Sequence, residues 1–302
     1  MNNNIDKRMS DINNKSGNAD RDTAGYLRRI ADARRVIADA DAVLIGAGAG
    51  FSAAAGLVYD GSEFRKRFSD FIARFGITDL YTSSFYPYPS EQVRWAYWAQ
   101  HVDMIRYAPP AMPLYLSLLD VVSRKDYFVI TTNVDGQFRK AGFAADRIFE
   151  VQGDYGLMQC HTPCHNRLYS NEQAVGRIIP AIRDCSIPQE LVPRCPVCGG
   201  QMDIHVRADA GFIQDDAWYG MAERYEAFVS RYVMRRLVLV ELGVGYNTPT
   251  IIRYPFEQMT YQNPQATLIR LNRDYPEAIA ENSRRTISFG EDTARVVDDL
   301  RR

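Results

Sequence analysis

The sequence predicts an α/β protein built on a doubly wound parallel sheet, interrupted by a cysteine-bearing segment. Three observations predict this. Short apolar strands alternate with stretches of helical periodicity, a glycine-rich turn directly follows the first strand, and two close pairs of cysteines interrupt the alternation.

The elements follow in order. Asp22 to Asp39 carries Leu27, Ile30, Ala31, Ile37 and Ala38 at helical spacing. Ala42 to Ile45 reads as a short buried strand running into glycines. Phe64 to Phe75 and Glu91 to Tyr107 read as helices on either side of a Tyr/Pro/Ser-rich loop at Tyr81 to Pro89, and Leu114 to Ser123 as a further helix. Tyr127 to Thr131 is a β-branched strand and Ile148 to Val151 a second. Cys160 to Cys198 reads as irregular and holds all five cysteines. Glu223 to Arg235 is helical, Leu237 to Glu241 and Ala266 to Leu271 are strands, and Asp292 to Leu300 closes with a helix. No internal repeat is visible.

A chain of 302 residues, 46% apolar, can bury one large core with a smaller satellite. Its net charge of −1 creates no field toward nucleic acid or anionic membrane, so neither is expected as a partner. Residues 1–21 are polar and read as a disordered tail. They lack the apolar centre of a secretory signal, and their acidic residues argue against a transit peptide, so a cytoplasmic location is expected. Ala42 to Tyr59 is uncharged and nearly long enough to span a bilayer. Gly46, Gly48, Gly50, Gly56 and Ser52 make it a poor membrane helix, and a strand, loop and helix start explain it better.

Cysteines in an unsecreted chain suggest metal before disulfides. Cys160 and Cys164 form one knuckle, Cys195 and Cys198 a second, with 30 residues between. Four thiolates from two such turns suit a closed, structural Zn²⁺ with no open position for water. His161 and His165 flank the first knuckle and could substitute as ligands; Cys185 reads as a small packed residue.

The turn Gly46-Ala47-Gly48-Ala49-Gly50-Phe51-Ser52 lets backbone N–H groups approach a pyrophosphate ahead of a helix N-terminus. Gly48-Ala49-Gly50-Phe51-Ser52 with Gly56-Leu57 resembles the sirtuin signature G-A-G-x-S-x-x-x-G-I. Thr131-Thr132-Asn133-Val134-Asp135-Gly136, followed by Ala141-Gly142, resembles the sirtuin T-Q-N-x-D-G…A-G. Asn272 sits where sirtuins place an Asn that contacts the adenosine ribose, and Gly290-Glu291-Asp292 where their adenine-side loop falls. The paired cysteines come in the order of the sirtuin zinc module. The resemblance runs from about Tyr26 to Leu300 and implies a Rossmann-type fold for residues 22–57, 108–152 and 209–302, with the helical insertion at 58–107 and the zinc module at 153–208. It implies NAD as co-substrate, bound by Gly48, Ala49, Gly50, Ser52, Gly56, Thr132, Asn133, Asp135, Gln152, Gly243, Asn272 and Asp292, with Asn133, Asp135 and Gln152 at the reacting ribose.

The departures carry the functional expectation. Ordinary sirtuins have His-Gly where this chain has Gln152-Gly153, and a neutral amide cannot take up the proton that their deacylation requires. Leu57-Val58-Tyr59-Asp60 replaces I-P-D-F-R, and His205 to Phe212 lacks the usual acyl-lysine-binding sequence. These features resemble the macrodomain-linked (class M) sirtuins. That resemblance implies an NAD-dependent protein ADP-ribosyltransferase acting on a lipoylated carrier similar to the glycine-cleavage H protein, with a partner macrodomain hydrolase to remove the mark. The competing readings are an NAD-hydrolysing sirtuin domain, a weak protein-lysine deacylase, and a catalytically weak NAD sensor. Asn133 as a turn residue and Asp135 as a helix cap are the plain structural alternatives, and His101 reads as a partly buried helix residue.

Overall fold

The computed structural model describes residues 23–302; the polar tail read at residues 1–21 lies outside them. Helix α1 (residues 23–39) buries Tyr26, Ile30, Ala33 and Ile37, one stripe at helical spacing. Strand β1 (Ala42–Ala47) follows, buried at every position. It leads through Gly48 into α2 (Ala49–Ala54). Four helices come next: α3 (Gly61–Arg67), α4 (Ser69–Phe75), α5 (Leu80–Ser83) and α6 (Glu91–Val102). The last runs on into a π-turn at Asp103–Tyr107. Then come α7 (Pro113–Val122), β2 (Asp126–Thr131), α8 (Gln137–Lys140), β3 (Ile148–Glu150), β4 (Gly153–Cys160), β5 (Tyr169–Ser170), α9 (Glu172–Ile178) and β6 (Met202–Val206). The chain closes with α10 (Asp216–Tyr232), β7 (Leu237–Leu242), α11 (Arg253–Gln262), β8 (Thr267–Leu271), β9 (Thr286–Phe289) and α12 (Thr293–Arg301).

Six strands form one parallel sheet in the order β3-β2-β1-β7-β8-β9, with β1 paired to both β2 and β7. Alternation along each strand sorts the side chains onto two faces. Val43, Ile45, Val129, Val240 and Ile269 pack under α1, α7 and α12, whereas Ala42, Leu44, Phe128, Leu239 and Leu268 pack under α10 and α11. Each such aliphatic side chain, removed from water, stabilises the fold by about 1.5–3 kcal/mol. The carboxyl ends of β1, β2, β7 and β8 all point to one rim, where the order reverses on either side of β1.

The helical insertion and the cysteine-bearing segment share a single second core. Phe64, Phe68, Phe71, Trp95 and Tyr97 pack into the same cluster as Tyr155, Val175, Ile178 and Met202, beside the antiparallel sheet β5-β4-β6. Several sequence expectations are corrected here. Phe64 to Phe75 is broken at Phe68, whose backbone (φ −105°, ψ 20°) leaves the helix. The loop at Tyr81 to Pro89 begins inside α5. Cys160 to Cys198 is not wholly irregular: it contains α9, whose Ala174, Val175 and Ile178 supply a short buried stripe. Helix α10 starts at Asp216 rather than Glu223, because Asp215 caps it by accepting from the Trp218 N–H at 2.8 Å. No helix among the described residues is long and apolar enough to cross a membrane.

Candidate active site

A cleft of about 730 Å³ runs along the rim where β1, β7 and β8 end. A second chamber, about 410 Å³, continues from it past Ala49, Gly50, Ala53 and Thr132 toward Ser52, Asn133 and Asp135. The glycine turn is built by close backbone approach. Gly48 N–H donates to Leu242 O at 3.0 Å, and Gly50 N–H to Gly243 O at 3.0 Å. These two donors are committed to the β7 turn, so the reason for glycine here is the contact between two loops. Gly243 makes the matching bend with φ +58°.

In the smaller chamber the two loops after β1 and β2 are joined side chain to backbone. Asn133 Nδ2 donates to Gly48 O at 3.1 Å, and Thr131 Oγ1 donates to Ala47 O at 2.9 Å while accepting from Asn133 N. Asp135 is buried. Its Oδ2 accepts from Ser52 Oγ at 2.5 Å and its Oδ1 from Gln137 N at 2.9 Å, so the same carboxylate faces the chamber and starts α8. Burial pushes the Asp135 carboxyl above the usual range; the Ser52 and Gln137 donors and the Arg106 charge pull the other way. Tyr115 Oη lies 2.9 Å from Ser52 Oγ, and burial raises its phenol well above its ordinary value. Val58, Tyr59 and Asp60 form the opposite wall.

At the far end of the cleft, Gly243, Asn272 and Asp292 line the wall with Tyr275. Asn272 Nδ2 donates to Val244 O at 2.8 Å, and its Oδ1 accepts from the N–H groups of Asp274 and Tyr275. Asp292 caps α12 through Arg295 N at 2.9 Å. Of the residues expected to hold a nucleotide, Gly56 and Gln152 line neither chamber. Gly56 closes the end of α2, and Gln152 lies in the turn between β3 and β4, where its carbonyl accepts from Arg207 N at 3.0 Å.

The four cysteine sulfurs Cys160, Cys164, Cys195 and Cys198 lie within 4.8 Å of one another. The Cys160–Cys198 and Cys164–Cys195 sulfurs are each 3.7 Å apart. A tetrahedron with Zn–S bonds of about 2.3 Å has edges of about 3.8 Å, so the four side chains fit a structural Zn²⁺. His161 Nδ1 meets Asp203 at 2.6 Å, whereas His165 Nε2 meets Tyr169 Oη at 2.7 Å and lies 4.0 Å from Cys195 Sγ, bordering the four sulfurs without joining them. Cys185 is buried, as expected.

No family model matches the chain. It is 35% identical over 268 residues to a protein ADP-ribosyltransferase of Staphylococcus aureus, covering 87% of this chain and 84% of that protein. The fold matches that of solved Sir2 homologues: a Sir2 homologue–NAD complex aligns over 89% of this chain and 91% of its own (16% identity, TM-score 0.54). The chain belongs to the sirtuin-type protein ADP-ribosyltransferases. A probable bifunctional ADP-ribose hydrolase/ADP-ribosyltransferase of Fusarium oxysporum is also 35% identical, over 82% of this chain but only 42% of that longer protein. An NAD-dependent protein deacylase of Ralstonia nicotianae is 27% identical over 57% of this chain. A further sirtuin structure, solved to explain substrate affinity, aligns over 88% of this chain with 16% identity and a TM-score of 0.56.

In this sirtuin-type transferase none of the four histidines lines either chamber. His161 and His165 sit at the cysteine knuckle, and His205 Nε2 meets Ile213 O at 2.8 Å. His101 is fully buried rather than partly so, stacked 5.0 Å from Trp98 and edge-on to Tyr155. Burial pushes its imidazole down to about 3. Sequence reasoning missed Tyr115, Tyr59 and Arg106 around Asp135. Tyr59 stands out in the sequence only as a departure from the family pattern, and nothing in the spacing of α7 marks Tyr115 as facing a site.

Proposed function

We propose that this protein cleaves NAD between ribose C1′ and nicotinamide and passes ADP-ribose to a protein acceptor. The observation that carries the proposal is the pairing of Asn133 and Asp135 at one end of a continuous cleft that no histidine lines. NAD lies with its adenosine toward Asn272 and Asp292 and its reacting ribose toward Asn133. Asn133 and Ser52 orient the ribose end, and Asp135 offers negative charge where positive charge builds on the ribose. Nicotinamide leaves with the bonding pair, the acceptor forms the new bond at C1′, and its proton passes to solvent. Capture by an already nucleophilic acceptor does not need the base-dependent second stage of deacylation. By the family resemblance, Gln152, in the turn after β3, holds the ribose hydroxyls.

By resemblance to the macrodomain-linked sirtuins, the acceptor is a lipoylated carrier protein and the mark is removed by a macrodomain hydrolase. The Fusarium relative, a probable bifunctional ADP-ribose hydrolase/ADP-ribosyltransferase, supports the pairing of a transferase with a hydrolase. The setting is the cytoplasm. The test supplies labelled NAD with the lipoylated carrier, its unlipoylated form and an acetyl-lysine peptide, and follows all three by mass spectrometry. Label on the lipoylated carrier is expected. Free ADP-ribose alone would favour hydrolysis, efficient deacetylation would overturn the proposal, and intact NAD would leave a sensor.

A further inference from the structure

We propose that Arg106 is a positioning residue of the reacting site, seating the Asn133–Gly136 loop and supplying the positive charge that faces Asp135. Arg106 stands on the π-turn at Asp103–Tyr107, an interruption of helical bonding that recurs at functional sites. Its guanidinium makes a two-pronged pair with Asp154, at 2.7 and 3.1 Å, with both side chains largely buried. Asp154 Oδ1 also accepts from Gly156 N at 2.7 Å, so the pair is anchored to β4. The flat face of the guanidinium then lies against Gly136. A Cβ there would be 2.5 Å from Arg106 Cζ and 2.6 Å from Nε, and Gly136 has φ +68°. Only glycine meets both demands, and Gly136 is joined directly to Asp135.

Arg106 therefore ties the inserted helical module and β4 to the loop that presents Asp135. The charged and titratable groups around Asp135 are the Arg106–Asp154 pair, Lys140, and the phenols of Tyr59, Tyr115 and Tyr155. Burial and Asp154 favour the neutral acid. The Ser52 and Gln137 hydrogen bonds oppose them most, and the Arg106 guanidinium adds the opposing charge. A second ion pair, Arg139–Glu150 at 2.8 Å, sits behind this arrangement at the end of β3, with the Glu150 carboxyl pushed up to about 7 by burial and by Asp154.

The inference rests on the transferase reading for its kinetic arm, but has an arm independent of turnover. The titration of Asp135 is followed by carboxyl ¹³C NMR in the full chain, and nicotinamide release from NAD is followed against pH. In Arg106→Met the Asp135 midpoint should move to higher pH, and the acid limb of nicotinamide release should move with it. kcat should fall about 10- to 100-fold while KM for NAD, set largely at the adenosine end, stays within about threefold. Arg106→Lys should restore the midpoint but only part of kcat, because an ammonium cannot make the flat, forked contact. Asp154→Asn keeps the guanidinium and releases its anchor: the midpoint should fall, yet kcat should still drop. An unmoved Asp135 midpoint in Arg106→Met, or wild-type kcat in Asp154→Asn, would overturn the inference. If the wild-type protein releases no nicotinamide at all, the transferase reading fails, while the NMR midpoints still decide the role of Arg106.

Discussion

Gly50 and Gly243 meet backbone to backbone: the Gly50 N–H donates to Gly243 O at 3.0 Å, and a Cβ at Gly50 would come within 2.8 Å of that oxygen. Gly50→Val therefore drives the β1 turn and the β7 turn apart in the middle of the cleft. NAD binding, measured by calorimetry, should be lost, while zinc content stays at one ion per chain because the cysteine knuckles lie on other elements. Undiminished affinity would remove the cleft from the nucleotide assignment.

Asn133 bridges the same turn from the other side, through its 3.1 Å bond to Gly48 O. Asn133→Ala should abolish ADP-ribose transfer by at least about 100-fold, with melting temperature little changed. Gln152→His should give at most weak deacetylation, because the wall at Val58, Tyr59 and Asp60 remains. Its transfer rate onto a carrier protein is the control. Deacetylation rising about 10²–10⁴-fold would show that the missing base was the sole obstacle.

The four sulfurs of the knuckles predict metal-coupled folding of the second core. A strong chelator, or Cys195→Ser, should raise amide exchange first in β4, β6 and α9, and only later in the six-stranded sheet. Folded protein found by elemental analysis to carry no zinc would sink this prediction.

His101 predicts an acid weakness. Tyr97 gives its one hydroxyl proton to Leu80 O at 2.9 Å, so the His101 Nδ1–H must donate to Tyr97 Oη, leaving Nε2 buried without a partner. The ring stays neutral in the folded protein down to about pH 3, whereas the unfolded chain takes up its proton below about pH 6.5. The unfolded state thus binds more protons across that window, and stability falls as pH falls through it. His101→Phe should flatten the acid limb of a urea-midpoint-versus-pH curve between those values. A limb of unchanged slope would place the acid sensitivity in other groups.

Much of the fold was legible because β1, β2, β7 and β8 are near-continuous apolar runs, and because the glycine turn follows β1 without a gap. α11 was harder to read: its buried residues include Arg253 and Glu257, so no apolar stripe marks it. Arg270 in β8 is likewise fully buried against Glu241, at 2.9 Å, an ion pair between adjacent strands whose two charges, read along the chain alone, suggest exposed positions. At the site, Asn133 and Asp135 could be found because they sit in one contiguous motif. Arg106 and Tyr115 could not, since each reaches Asp135 or Ser52 only after separate helices have packed. That Gly48 and Gly50 seat a second loop is not legible in the sequence either, because that loop lies at residues 242–243, far along the chain.

The pairing of Ala42 with Leu237 has a consequence for synthesis. While the chain emerges, β1 can find β2 early, but its other side has no partner until the second core has been made. During that interval a wholly apolar strand offers an open row of backbone donors and acceptors, a template for sticking to another nascent copy.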